Sequence, residues 1–394
     1  MLFSIALILF FGFSLGELMR KLKQPPLLGM IITGIILGPV VLNLIDSSIL
    51  SISTDLRQIA LIVILIRAGL ALQLNDLKKV GRPAILMCFL PASFELAAYV
   101  IFAPALLGIS YLEAAIMGTV LAAVSPAVVV PRMLQLMENQ YGVYKKIPQL
   151  IMAGASVDDI FVIVLFTAFI GMYQGKEFSF FSLIKIPISI LLGLTIGVIS
   201  GFIIVWILRK FHVRDTVKVL LLLAVSFLFV SLETAAKPLI PISGLLAVMA
   251  LGAIILKKHD TLARRLSIKF SKLWIVAELI LFVLVGASVD IRYVGRAGIM
   301  AICLIIISLL FRIVGVFACL IKTNLTWKER AFTAIAYLPK ATVQAAIGSM
   351  PLALGLPAGN TILTVAVLAI LITAPIGAIG IDFTYQKLLS RDIV

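Results

Sequence analysis

The sequence predicts an all-α membrane protein: thirteen transmembrane helices, in two inverted six-helix repeats joined by a linker helix, with two broken crossing helices. Three observations lead there. The composition suits lipid rather than water, segments of the two halves match at one common spacing, and prolines interrupt corresponding apolar runs in both halves.

The 394 residues are 62% hydrophobic and 13% charged, with a mean hydropathy of +1.20, outside the range of a soluble domain. A helix needs ~20 mostly apolar residues to cross a bilayer. Such runs fall near 2–19, 27–44, 57–73, 83–108, 112–134, 147–173, 183–208, 216–234, 240–256, 272–290, 297–320, 329–354 and 361–383. The short loops between them leave no room for a soluble regulatory or nucleotide-binding domain, and no cofactor is expected. The first span does not read as a signal peptide: its basic cluster, Arg20, Lys21 and Lys23, follows the apolar run instead of preceding it.

A net charge of +15 raises the question of nucleic acid, and the distribution answers it. Of the 33 Lys and Arg, 22 gather on the side of the loops that follow odd-numbered spans, with Lys387 and Arg391 of the tail on the same side. Six lie opposite: Arg57, Lys176, Lys185, Lys237, Arg292 and Arg296. This is the positive-inside asymmetry, which places the N-terminus outside and the C-terminus in the cytoplasm. The charge is topological, and no nucleic-acid partner is expected. Cys88, Cys303 and Cys319 sit in apolar helices without metal-type spacing and read as packing residues.

The repeat shows in four matches. IRAGLALQL…VGRPAILMC (66–88) resembles LVGASVDI…VGRAGIMAIC (284–303), with Gly69 opposite Gly286 and VGR at 80–82 opposite VGR at 294–296. LLGMIITGIILG (27–38) resembles ISGLLAVMALG (242–252), and SPAVVVPRML (125–134) falls opposite LPKATVQAAI (338–347). The spacing stays within 213–217 throughout. Six spans per half leave 183–208 as a linker, and an odd linker starts the second half from the opposite face of the membrane. The repeat is therefore inverted, as in many secondary transporters. Within the linker, Gly193, Gly197 and Gly201 form a close-packing face.

Spans 5 and 12 carry prolines at matching positions, Pro126 with Pro131 and Pro339 with Pro351. Proline removes a donor and clashes with the preceding turn. Non-helical backbone survives at membrane depth only where protein or a water-filled cavity receives it. Paired interruptions in the two halves point to a transport site, with the breaks at Pro126 and Pro339.

Charges inside the spans mark the same place. In GASVDDIF (154–161), Asp158 and Asp159 are the only charged residues between 147 and 175. A charge at the bilayer centre costs at least ~2.5–3.5 kcal/mol, so such residues are usually buried, paired and functional. Neighbours on a helix lie ~100° apart and can divide two tasks, one pairing with a cation while the other faces a cavity. Lys340, just after the break at Pro339, is the expected partner. A hard ion such as Na+ or Li+ prefers oxygen ligands, which Asp159, Asp158, Ser125 and unwound carbonyls near Val124 supply. A proton and a cation competing for the same carboxylates is the minimum chemistry of an antiporter. Glu95 and Arg312 hold nearly equivalent repeat positions and are expected to form a core ion pair joining the halves, structural first. Arg67 and Glu278 receive no assignment, and His212 and His259 read as solvated loop residues.

The motifs VSPAVVVP, GASVDD and PKATVQAAIG, in order across essentially the whole chain, resemble the cation:proton antiporter-2 superfamily. They are most similar to its electrogenic two-aspartate sodium/proton antiporters of the NHA type. The resemblance implies the sodium/proton antiporter fold, a homodimer in the lipid bilayer and an elevator mechanism. A scaffold/dimer domain (1–81 and 214–293) would hold an ion-transporting core (82–175 and 294–394), with the linker helix at 176–213. It further implies Asp159 as the main carboxylate for cation and proton, Asp158 alternating between Lys340 and the ion, and two protons exchanged per Na+ or Li+.

A K+/H+ antiporter of the same fold is the nearest alternative. Relatives resembling potassium efflux systems carry a different residue before the aspartate and a C-terminal nucleotide-binding domain, features not seen here. A channel would conduct far faster than a carrier. An intramembrane aspartyl protease needs its carboxylates on different helices, and no enzyme is expected. The short tails suggest a bacterial inner (plasma) membrane.

Overall fold

The computed structural model describes residues 1–71, 80–175, 180–211, 213–236, 242–289 and 291–391. His212, Lys176 and Lys237 lie outside them, as do the side chains of Lys185, Arg292 and Arg296. The regular structure of the described residues is helical. In chain order the helices are α1 (Leu2–Lys21), α2 (Pro26–Leu37), α3 (Ser47–Ser51), α4 (Ser53–Leu70), α5 (Arg82–Met87) and α6 (Leu90–Leu107). There follow α7 (Tyr111–Leu121), α8 (Pro126–Glu138), α9 (Ile147–Gln174), α10 (Phe180–Lys210), α11 (Asp215–Ala236) and α12 (Gly244–Lys258). The last are α13 (Asp260–Ala287), α14 (Ile291–Cys319), α15 (Trp327–Ala336), α16 (Thr342–Ile347), α17 (Met350–Ala353) and α18 (Gly359–Leu388).

Each of the thirteen expected stretches contains helix, yet nine helices among the described residues are long and apolar enough to cross a membrane. The difference has physical causes. Span 12 is divided into α15, α16 and α17 by backbone that leaves the helix, and α2 is only 12 residues long. Conversely, α13 begins well before its apolar run, because hydropathy marks depth in lipid and not helix length.

The chain divides into two compact units. One comprises Asp55–Leu72 and Thr167–Glu278. In it α10 lies against α12 along the predicted glycine face. A Cβ at Gly193 or Gly197 would meet the carbonyl oxygen of Ser243 or Ala247, and one at Gly201 would come within 2.8 Å of the Ile254 side chain. Arg67 and Glu278 face each other electrostatically in this unit, with Trp274 donating to Glu278.

The other unit, Met1–Thr54, Gln73–Phe166 and Leu279–Val394, holds both interrupted helices. Its two broken helices start alike. Ser110 caps α7 by accepting from the Glu113 N–H, and Glu113 accepts from the Ser110 N–H at 3.0 Å. Thr326 and Glu329 repeat this capping box on α15, where Glu329 accepts from the Thr326 N–H at 2.7 Å. Two orphan donors are satisfied reciprocally at each helix start. The second acidic oxygen of Glu113 accepts from the Ala358 N–H at 2.9 Å, which opens α18, while Glu329 takes the Lys145 ammonium at 2.9 Å, just before α9. Each broken helix is thus tied by its first turn to the start of the other half's long helix.

Candidate functional site

The two breaks lie back to back. After α7 the backbone unwinds at Ala122–Ser125, with Ser125 extended, and Pro126 starts α8 at a position where a missing N–H costs nothing. After α15 it unwinds again until Thr342, and Pro339 lies in that gap. The Ser125 N–H donates to the Pro339 carbonyl at 2.7 Å, so main chain meets main chain where both helices are open. The Lys340 N–H is received by the Thr373 hydroxyl of α18 at 3.0 Å.

Around this crossing four fully buried charges alternate in sign. The Lys340 ammonium spans both oxygens of Glu95 at 2.7 and 2.8 Å. Arg312 donates through one terminal nitrogen to Glu95 at 2.8 Å and through the other to Asp158 at 3.0 Å. The guanidinium also donates to the carbonyls of Tyr337, at 2.6 Å, and of Ala122. Its carbon lies 5.1 Å from the centre of the Tyr337 ring, and the Tyr337 hydroxyl is itself anchored on the Met87 carbonyl at 3.0 Å. A planar donor fork of this kind can serve several acceptors at once, which an ammonium cannot. Asp158 accepts a second bond from the Val124 N–H at 2.9 Å.

Asp159, its neighbour on α9, has a different setting. It is half-buried, and its Oδ1 is buried with no hydrogen-bond partner among the described residues. Asp158 Oδ1 and the Ser125 hydroxyl are likewise buried and unpartnered there. Two carboxylates and a hydroxyl with free oxygens beside an unwound backbone offer the hard donor set that Na+ or Li+ needs.

One expectation is corrected. Lys340 was the expected partner of the aspartates, but its ion pair is with Glu95, and Arg312 holds Asp158 instead. The reason is reach: Arg312 extends from α14 to α6 and α9 together, and the compact ammonium settles where both carboxylate oxygens are presented. Of the unwound carbonyls near Val124, those of Leu121, Ala122 and Ala123 each accept a hydrogen bond. Gln344 of α16 donates to Leu121 O at 3.3 Å and to Ala123 O at 2.9 Å, and Arg312 takes Ala122 O. Val124 contributes its N–H to Asp158. Glu95 and Arg312 do pair, within a longer chain than two residues.

Gln344, Tyr337 and Thr373 escaped the sequence reading. The first had a visible signal, an amide within the apolar run of PKATVQAAIG; the others look like ordinary residues of their helices. Gly154 is explained as well, since a Cβ there would collide with the Tyr337 hydroxyl and come within 2.8 Å of Met87 Cβ.

Paired helix breaks meeting at buried charges define a secondary transporter. Comparison with known proteins narrows the class. The chain belongs to the sodium/hydrogen exchanger family, whose transmembrane region matches residues 5–387, and is a cation/proton antiporter. It is 33% identical over 412 residues to sodium/hydrogen exchanger 9B2 of Mus musculus, covering 99% of this chain and 74% of the relative. It is 32% identical over 415 residues to sodium/hydrogen exchanger 9B1 of Homo sapiens, covering 99% and 78%. The fold matches that of a sodium proton antiporter from Methanocaldococcus jannaschii at TM-score 0.85 and 21% identity, over 98% of this chain and 97% of that one. The protein is an integral membrane protein. The two exchangers come from mammals, and they lend no support to a bacterial membrane.

Proposed function

We propose that the protein exchanges Na+ or Li+ for protons, with Asp159 as the carboxylate the two ions share. The observation that carries this reading is the contrast between neighbours: both keep a buried, unpartnered Oδ1, but Asp158 is fixed through its Oδ2 by Arg312 and Val124, whereas Asp159 has no ion pair among the described residues. Glu95 and Asp158 balance Lys340 and Arg312, so the negative charge of Asp159 is left to be neutralised by either a proton or a cation. The names of the relatives favour Na+ over the K+/H+ alternative.

Electrogenic exchange of two protons per cation needs a second proton, and Lys340 is the group to release it. Its seat across both oxygens of Glu95 favours a second reading, one-for-one electroneutral exchange, in which Lys340 stays paired with Glu95 throughout the cycle. The transport motion is an elevator, in a homodimer. The core of 82–175 and 294–394 moves against the scaffold of 1–81 and 214–293, with the N-terminus outside and the C-terminus in the cytoplasm. The breaks, bonded to each other and to the long helices, support movement of the core as one body.

Purified protein in liposomes with an imposed pH gradient and a pH-sensitive dye tests the site. Na+ or Li+ should release protons in wild type, and Asp159→Asn should abolish the response while remaining folded. Normal exchange in that variant would sink the assignment. Lys340→Gln separates the two couplings. If exchange is electrogenic, an imposed potential changes the wild-type rate and the variant loses that sensitivity; a wild-type rate indifferent to potential selects the electroneutral reading.

A further inference from the structure

The unwound stretch after α7 is held open by a group that plays no part in carrying charge. Gln344 is buried, on a six-residue helix, and its one amide nitrogen donates to both Leu121 O and Ala123 O. Away from water these carbonyls need donors, and the two N–H bonds of a single amide meet both. Ala122 O, between them, is taken by Arg312. The next residue, Val124, gives its N–H to Asp158, and Ser125 gives its N–H to Pro339. Five successive residues are therefore held by named partners, and Gln344 supplies two of the contacts without adding a charge that would compete with a cation. Its own Oε1 is buried without a partner among the described residues, a cost that packing alone does not call for.

We propose that Gln344 is a positioning residue of the ion site: by holding Leu121 O and Ala123 O it fixes where Val124 meets Asp158 and where Ser125 stands, and so sets cation affinity. The inference rests on the cation/proton exchange proposed above. Gln344 acts through the unwound backbone and not as a ligand to the cation.

The test compares Gln344→Met, which keeps length and volume but has no donor, with Gln344→Glu, which keeps an oxygen but cannot donate to two carbonyls. Both are reconstituted, and proton release is titrated with Na+ and with Li+, alongside thermal melting of the purified proteins. Loss of the donors should raise KM for both cations about tenfold in each variant, with maximal rate changed less. If Gln344→Met does not fold, Gln344→Asn, which keeps the amide one methylene short, should show the same change. A folded Gln344→Met or Gln344→Asn with wild-type KM overturns the proposal, and so does a Gln344→Glu that binds Na+ more tightly, since that makes the residue a ligand. A wild type with no cation-driven proton release fails the exchange reading itself, so the two failures are told apart.

Discussion

Replacing Arg312 with Ala removes donors to two carboxylates and two carbonyls in one step. Glu95 keeps Lys340 as its partner, but Asp158 is left with the Val124 N–H alone. Breaking a buried pair by deleting one member costs ~3–5 kcal/mol, because an uncompensated charge stays behind. At the lower end of the usual conversion for larger domains, about 2 °C per kcal/mol, the melting temperature should fall by about 6–10 °C. Thermal melting of the detergent-purified protein measures it directly. The structure also predicts which second substitution helps. Adding Asp158→Asn to Arg312→Ala should recover more stability than adding Glu95→Gln, because Asp158 is the carboxylate stranded and Glu95 still faces Lys340. Arg312→Lys should recover only part, since one ammonium cannot reach all four acceptors. A melting temperature within 2 °C of wild type for Arg312→Ala, or Glu95→Gln proving the better rescue, would refute the order of the charges.

Gly154→Ala forces a Cβ against the Tyr337 hydroxyl and Met87, and should cost about 1–3 kcal/mol by overpacking; Tyr337→Phe added to it should return part of that in the same melts. Glu113→Ala removes a capping box and the acceptor of the Ala358 N–H, and should cost about 1–2 kcal/mol with KM for Na+ unchanged. A large KM change there would place Glu113 in the ion path. Lys145→Ala, on a partly exposed pair with Glu329, should cost no more than about 1 kcal/mol.

The residues of the candidate site were visible in the sequence because lipid makes them conspicuous. Asp158, Asp159, Lys340, Glu95 and Arg312 are charges where a charge is costly, and Pro126 and Pro339 are breaks where a break must be compensated. Pairing was not visible in the same way. Adjacency to a break suggested Lys340 for the aspartates, but partner choice depends on how far side chains extend from three packed helices, and the longer, forked guanidinium reaches Asp158. The occupation of the unwound carbonyls was hidden for a related reason. Gln344 is one polar residue in an apolar run, and nothing in its spacing says that it crosses to the other half of the chain. Helix number suffered from the opposite problem: hydropathy sees apolar length, and a span divided into α15, α16 and α17 presents the same apolar length as an unbroken one.

The alternation of charge from Lys340 through Glu95 and Arg312 to Asp158 bears on why two aspartates stand side by side. Removing either cation would strand a carboxylate, and the four-membered chain is internally neutral. Its members cannot exchange with solution ions one at a time without paying desolvation for those that remain. Asp159 is attached to this chain by the backbone and not by an ion pair. Among the described residues no ion pair cancels its charge, and an uncancelled carboxylate at membrane depth carries a penalty of at least ~2.5 kcal/mol. A proton removes the penalty, and so does a bound cation, but both cannot occupy the same oxygens. An antiporter needs this asymmetry: a fixed acid that holds the site together, and beside it a free one whose occupancy must always be filled from one side or the other.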